Sequence, residues 1–179
     1  MKISGGNMRK KIRIKIPKLA YEVINKDVEY FNLKKETLYN IIIKELGFEK
    51  FTEIGYDIFS LDEKREVYFN LNEINTELVP KMIAFHLLES DIDMIIKIFI
   101  TYANLHPAVR ERVVYKNLFL RVEQAIKDKK NIKIYFNKEI IDILPLALER
   151  DGKTGYNFLK SKHGKDFYLY EMKHIEFVS

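Results

Sequence analysis

The stretch Lys11-Ile12-Arg13-Ile14-Lys15-Ile16-Pro17 decides how the first half of the chain is read. Its period is two: Ile12, Ile14 and Ile16 fall on one face, Lys11, Arg13 and Lys15 on the other. That alternation predicts a half-buried β-strand, because successive side chains of a strand point to opposite faces. Pro17 has no N–H to offer a ladder, and its fixed φ suits the first turn of a helix. Leu19, Ala20, Val23, Ile24, Val28 and Phe31 then recur at helical spacing. A second helix is marked by Leu38, Ile41, Ile42 and Leu46, with Gly47 as its stop. A lone strand carrying three outward cations cannot hold itself together. Its isoleucine face needs a partner strand and a helical layer.

The same order returns further along. Residues 48–65 read as a charged connector that also holds Phe51, Ile54, Tyr56, Ile58 and Phe59. Residues 66–71 alternate again, with Val67, Phe69 and Leu71 on one face and Glu66, Tyr68 and Asn70 on the other. Ile74, Leu78, Met82, Ile83 and Leu87 follow at helical spacing, with Pro80 inside, where a proline predicts a late start or a kink. Ser90 and Asp93 read as a capping box before a helix carrying Ile92, Ile95, Ile96, Phe99 and Ala103. Strand-helix-helix thus occurs twice, at an interval of about 55 residues. Two arrangements satisfy the first strand. It pairs with residues 66–71 of the same chain, or with its own copy in a homodimer, and the sequence leaves both open.

Pro107 opens a helical stretch to Lys130, with Val109, Val113, Leu118, Val122, Ala125 and Ile126 expected inward. Beyond it short strands are expected over 132–136, 141–148, 156–160, 167–172 and 175–178, punctuated by Asp151-Gly152, Thr154-Gly155 and His163-Gly164. The predicted fold class is α+β. A disordered basic arm covers 1–10, a strand-helix-helix unit 11–47, the connector 48–65, a second such unit 66–105, a helical connector 106–130 and a β-module 131–179. So many short strands in so few residues predict a strongly curved sheet or a small, partly open barrel.

Charge falls in three blocks. Residues 1–21 carry seven basic side chains and no acid, residues 22–109 nine basic and sixteen acidic, and residues 110–179 fifteen and ten, for a total of +5. Two basic surfaces around an acidic spacer point to a polyanionic partner. No apolar run approaches the roughly 20 residues of a membrane span, and the N-terminus lacks a signal-peptide pattern, so no membrane association and a cytoplasmic location are expected. The absence of cysteine excludes disulfides, thiolate metal sites and a cysteine nucleophile. Phosphate-loop, dinucleotide, zinc-protease and hydrolase motifs are all missing. His86, His106, His163 and His174 are scattered, and Glu89, Asp91 and Asp93 read as carboxylates favoured at a helix N-terminus. The expectation is a non-enzymatic protein with no catalytic residue, no cofactor and no metal.

Basic residues at alternate strand positions followed by two helices resemble the ribbon-helix-helix DNA-binding family. The likeness covers residues 10–47 and rests on residues 11–17 plus the two helical patterns. It implies a pair of antiparallel strands in the DNA major groove, with Lys11, Arg13 and Lys15 facing the duplex. A guanidinium there can grip guanine O6 and N7 together. It also implies a phosphate held by backbone N–H groups at the start of the second helix, near Lys34, Lys35 and Thr37. The competing reading is a solvated basic edge strand that deters aggregation.

In the last third, Ile132-Lys133-Ile134-Tyr135, Leu144-Pro145-Leu146-Ala147-Leu148, Tyr156-Asn157-Phe158-Leu159 and Tyr168-Leu169-Tyr170-Glu171-Met172-Lys173-His174-Ile175 resemble, in that order, WYL domains. These are small Sm/SH3-like β-barrels of bacterial transcription regulators and of some CRISPR accessory proteins. Asn157-Phe158-Leu159 stands where Trp-Tyr-Leu is usual, and Tyr168, Glu171 and His174 stand where arginines are typical. The resemblance implies a module that binds nucleic acid or a nucleotide-like effector. Tyr135, Tyr156, Tyr168 and Tyr170 can stack bases, Lys160, Lys162 and Lys165 can hold phosphates, and His174 lies near the pocket. Read from the residues alone, alternate aromatics in strands are equally barrel core and cross-strand pairs. The combined expectation is a transcriptional regulator that binds duplex DNA. The alternative is a CRISPR-associated accessory protein that binds single-stranded RNA or modulates a partner nuclease.

Overall fold

The isoleucine face of Lys11–Pro17 (β1) finds its partner within the same chain, in strand Lys64–Asn70 (β2) of the computed structural model. The structure describes residues 10–51, 63–162, 164–172 and, for the backbone, 175–177. The basic arm expected over 1–10 therefore lies, apart from Lys10, outside the described residues, as do 52–62 of the connector, His163 and His174. The two strands run antiparallel, with Lys11 opposite Asn70, Arg13 opposite Tyr68, Ile14 opposite Val67 and Lys15 opposite Glu66. Ile12, Ile14, Ile16, Val67 and Phe69 are all buried. The ribbon is thus completed without a second copy of the chain.

Each strand leads into two helices. Lys18–Tyr30 (α1) and Lys35–Leu46 (α2) follow β1; Glu73–His86 (α3) and Asp91–Asn104 (α4) follow β2. α4 packs on β1, α1 and α2, and its Met94, Ile95, Ile98, Phe99 and Tyr102 are fully enclosed. The rings of Tyr39, Phe69 and Phe99 meet at the centre, with centroids 5.2–6.0 Å apart. Burial pushes the Tyr39 phenol up to about 12. Asp27 of α1 is buried too, and accepts a 2.6 Å hydrogen bond from the Tyr102 hydroxyl.

Polar side chains lock the far end of the ribbon. The Asn40 amide donates to the Asn70 carbonyl at 3.0 Å, and its oxygen accepts from the Asn72 N–H at 2.9 Å and the Asn75 amide at 2.8 Å. Asn75 also donates to the Asn40 carbonyl, while Asn72 caps α3 by accepting from the Asn75 N–H. Because Asn75 is fully buried, the inward face of α3 is Asn75, Val79 and Met82. Ile74 and Leu87, expected inward, are 54% and 90% exposed. Pro80 sits within α3 on its solvent side, and the helix starts ahead of it at Glu73, so the late start does not occur. Gly47 ends α2 with right-handed dihedrals rather than in a left-handed turn. Its value is spatial: a Cβ there would lie 2.3 Å from the sulfur of buried Met82 and 2.7 Å from the Ile43 carbonyl.

A second compact unit begins at Leu105. The stretch expected as one helical connector is two helices, Pro107–Val114 (α5) and Lys116–Asp128 (α6), broken at Tyr115. Val109 faces outward, while Phe119, Val122 and Ala125 of α6 enter the core of this unit. They pack with Ile132, Ile134, Phe136, Ile143, Leu159, Phe167, Leu169 and Met172. The strands are Ile132–Phe136 (β3), Glu139–Ile143 (β4), Pro145–Arg150 (β5), Asn157–Ser161 (β6), Asp166–Tyr168 (β7) and Ile175–Phe177 (β8). They form two three-stranded antiparallel sheets, ordered β4-β3-β8 and β5-β6-β7. The expected class, α+β, is what the chain adopts, but among the described residues the strands of this unit form two small sheets and do not close into the expected barrel. Among the described residues there are six α-helices, and none is long and apolar enough to cross a membrane.

Two substitutions test this packing. Asn75→Ala is expected to lower the unfolding free energy by about 1–3 kcal/mol, since it removes two buried hydrogen bonds to Asn40. Gly47→Ala is expected to cost about 1–3 kcal/mol by overpacking against Met82. Chemical denaturation measures both, and wild-type midpoints would contradict the contacts described.

Candidate nucleic-acid interface

Alternation along the ribbon sends one set of side chains into the core and the other set outward. The outward set is Lys11, Arg13 and Lys15 from β1 with Lys64, Glu66 and Tyr68 from β2, all exposed. Four cations thus share the face with one carboxylate. Lys64 was not expected there, because β2 starts two residues before the alternation that marked it in the sequence.

Arg13 and Glu66 are diagonal neighbours across the ribbon, a spacing long side chains can bridge. Arg13 Nη2 donates to Glu66 Oε1 at 3.1 Å, and its guanidinium lies over the Tyr68 ring, 5.2 Å from the centroid. The Tyr68 hydroxyl also donates to Glu66, and Lys15 Nζ stands 3.9 Å from the same carboxylate. These hydrogen bonds, Tyr68 first and Arg13 second, hold the Glu66 carboxyl below its usual range. In return the bond to Glu66 raises the Tyr68 phenol. The group is solvent-exposed, so it adds little to stability; it fixes where the guanidinium points.

The starts of the two second helices differ. No side chain caps α2, whose N-cap is Lys34 and whose first turn carries Lys35, Glu36 and Thr37. Lys34, Thr37, Lys44, Glu36, Asn40 and Asn72 border a hollow of about 420 Å³ at that end. Lys35 Nζ lies 5.5 Å from the centroid of the Tyr21 ring. Glu36 is turned inward and accepts from the Asn70 backbone and side-chain amides at 3.3 and 3.2 Å. That occupies the Asn70 amide, which otherwise faces outward with the cations. At the corresponding end of α4, Ser90 Oγ accepts from the Asp93 N–H at 3.3 Å, and Asp91 is paired with Lys10. One end is basic and uncapped, the other acidic and capped.

In the second unit the candidate residues are dispersed. Tyr156 is 2% exposed and is a core residue, so it offers no stacking surface. Tyr135 is exposed on β3, opposite exposed Ile140 of β4. Lys160 is paired with Glu149 at 2.8 Å, and Lys165 lies over the Phe136 ring, 4.4 Å from its centroid. Tyr168 and Tyr170 are half-buried, with ring centroids 6.0 Å apart. Asn157, standing where tryptophan was the family expectation, has a local task. Its N–H and amide donate to buried Glu111 at 2.6 and 2.8 Å, and the amide also reaches the Ala108 carbonyl, tying β6 to α5. Among the described residues no group of three or more His, Asp or Glu side chains is placed to hold a metal ion.

Asp151 organises the β5–β6 turn: one oxygen accepts from the Lys153 and Thr154 N–H groups, the other from the Tyr168 hydroxyl at 2.7 Å. The Tyr168 bond, then those of Thr154 and Lys153, lower its carboxyl to about 2. A folded value below the unfolded one stabilises the protein at neutral pH, and the gain is lost as pH falls from about 4 to about 2. Asp151→Asn is expected to flatten the thermal-stability profile across that window. An unchanged acid slope would contradict the assignment.

No family model matches the chain, and no curated protein matches it. Among solved structures it is similar to one described as "Crystal structure of a CRISPR Cas-related protein", with a TM-score of 0.68 over 100% of this chain and 14% sequence identity. The chain spans 66% of that protein's length. At that identity the likeness is one of fold.

Proposed function

We propose that this chain is a non-enzymatic nucleic-acid-binding regulator that meets duplex DNA with the β1–β2 ribbon. In this reading residues 11–104 act as a ribbon-helix-helix-like reader closed within one chain, and the second unit as a WYL-like module that senses a ligand or assembles with a partner. The observation that carries the reading is the outward face of the ribbon, where Lys11, Arg13, Lys15 and Lys64 project from a narrow two-stranded support. Two strands about 4.8 Å apart and about 23 Å long fit a major groove about 12 Å wide. The uncapped start of α2, with Lys34 and Lys35, adds a seat for backbone phosphate.

A second reading draws on the fold neighbour. A CRISPR-associated accessory protein would bind single-stranded RNA or modulate a nuclease. Exposed Tyr68 beside Arg13, and separately exposed Tyr135 and half-buried Tyr168 in the second unit, supply aromatic and cationic groups that single strands favour.

Titration of labelled duplex DNA, single-stranded DNA and single-stranded RNA at two salt concentrations separates the readings. Duplex binding is expected to fall with salt at a logarithmic slope of about −3 to −4, as for about four phosphate contacts. Arg13→Ala is expected to cost about 1–3 kcal/mol and to blunt sequence preference, whereas Lys34→Ala weakens all duplexes alike and reduces the slope by about one. Preference for single-stranded RNA, sensitive to Tyr168→Ala and indifferent to Arg13→Ala, would favour the accessory reading. Absence of salt-dependent binding to any of the three would overturn both.

A further inference from the structure

Glu66 is an odd residue to find at the centre of a cationic face. A carboxylate there repels phosphate oxygens, yet it is built in: Tyr68 and Arg13 both donate to it, and Lys15 stands beside it. Only Nη2 of Arg13 is engaged by Glu66, but a phosphate drawn to this guanidinium is brought against the Glu66 carboxylate, a second anion at the same place. A bare phosphate backbone therefore gains little from Arg13.

A base edge offering both polarities avoids that conflict. In the major groove a G·C pair presents the O6 and N7 acceptors of guanine next to the N4 amino donor of cytosine. Arg13 can donate to the first while Glu66 accepts from the second, so neither partner is left unsatisfied. An A·T pair lacks the paired acceptors that suit a guanidinium. We infer that Glu66 is a specificity-determining residue of the ribbon, withholding Arg13 from the phosphate backbone and releasing it to a G·C pair. The inference rests on the duplex-binding reading above and deepens it.

The test compares wild type, Glu66→Gln, Arg13→Ala and the double variant on random-sequence, G·C-only and A·T-only duplexes of equal length, at two salt concentrations. Both substitutions lie on exposed side chains, and circular dichroism confirms that each protein is folded. Glu66→Gln is expected to bind random duplex about 3–10-fold more tightly, to steepen the salt slope by about one, and to lose most of the wild-type preference for G·C over A·T. In the Arg13→Ala background the same change is expected to give much less, because no guanidinium remains to be released. Tyr68→Phe, which removes the hydroxyl that holds Glu66 and keeps the ring, is expected to fall between. Wild-type binding with an unchanged or weakened Glu66→Gln would overturn the role of Glu66 and leave the ribbon reading standing. So would a gain of equal size with and without Arg13, which is a charge effect alone. If neither wild type nor Glu66→Gln bound any duplex, the ribbon reading itself would fall, and this inference with it.

Discussion

Everything in the first unit depends on one pairing, that of β1 with β2 in the same chain. A strand with Ile12, Ile14 and Ile16 on one side cannot be left in water, and its backbone groups need a ladder. β2 supplies both the ladder and the matching Val67–Phe69 face, and α4 then covers the strands from below. Closing the ribbon inside one chain has a consequence for recognition. A symmetric dimer must present the same residue at both ends of its ribbon, whereas a tandem chain can make its halves unlike. This chain does so: Lys34 and Lys35 mark the open start of α2, while Ser90, Asp91 and Asp93 occupy the start of α4. A ribbon face with no internal dyad follows from that inequality.

The charge map of the sequence is redistributed by folding. The basic block at residues 1–21 places Lys11, Arg13 and Lys15 on the outward ribbon face, as its alternation implied. The acidic middle is not a uniform spacer. Glu66 engages Arg13, Glu63 pairs with Lys18 and Arg65, Asp91 pairs with Lys10, and Glu36 turns inward to Asn70. Acidic side chains thus trim and direct the basic surface instead of standing apart from it. In the second unit Lys160 with Glu149 and Arg112 with Glu123 do the same, which leaves its basic surplus less concentrated than the block count implies.

Period-two strands were legible because one face had to be buried and the other could not be. The isoleucines of β1 and Val67 and Phe69 of β2 all went inside. The existence of α4 was legible from its apolar spacing, but of the expected stripe only Ile95 and Phe99 are enclosed, while Ile92 is exposed and Met94, Ile98 and Tyr102 go inside. α3 was misread because a polar residue holds the inward position: Asn75 is buried and bonded to Asn40, while Ile74 faces solvent. Val109 was misplaced because it and Leu118, Val122 and Ala125 fall on opposite faces at helical spacing, and no proline or glycine announces the break at Tyr115. Tyr156 was offered as a stacking surface, yet aromatic residues in strands fill cores as readily as they face ligands. The clamp on Arg13 was illegible for another reason. Only the register of the ladder makes Arg13 and Glu66 diagonal neighbours, and a one-residue slip would send Glu66 to the other face.

Nucleic acid is expected to meet this chain on the outward face of the ribbon, and backbone NMR of the isotope-labelled protein with a short G·C-containing duplex reads that face directly. Amide shifts are expected to concentrate at Lys11, Arg13, Lys15, Lys64, Glu66 and Tyr68, with a second group at Lys34–Thr37 and little change across β3–β7. Shifts confined to the strands of the second unit, with the ribbon silent, would contradict the assignment of the interface to β1 and β2.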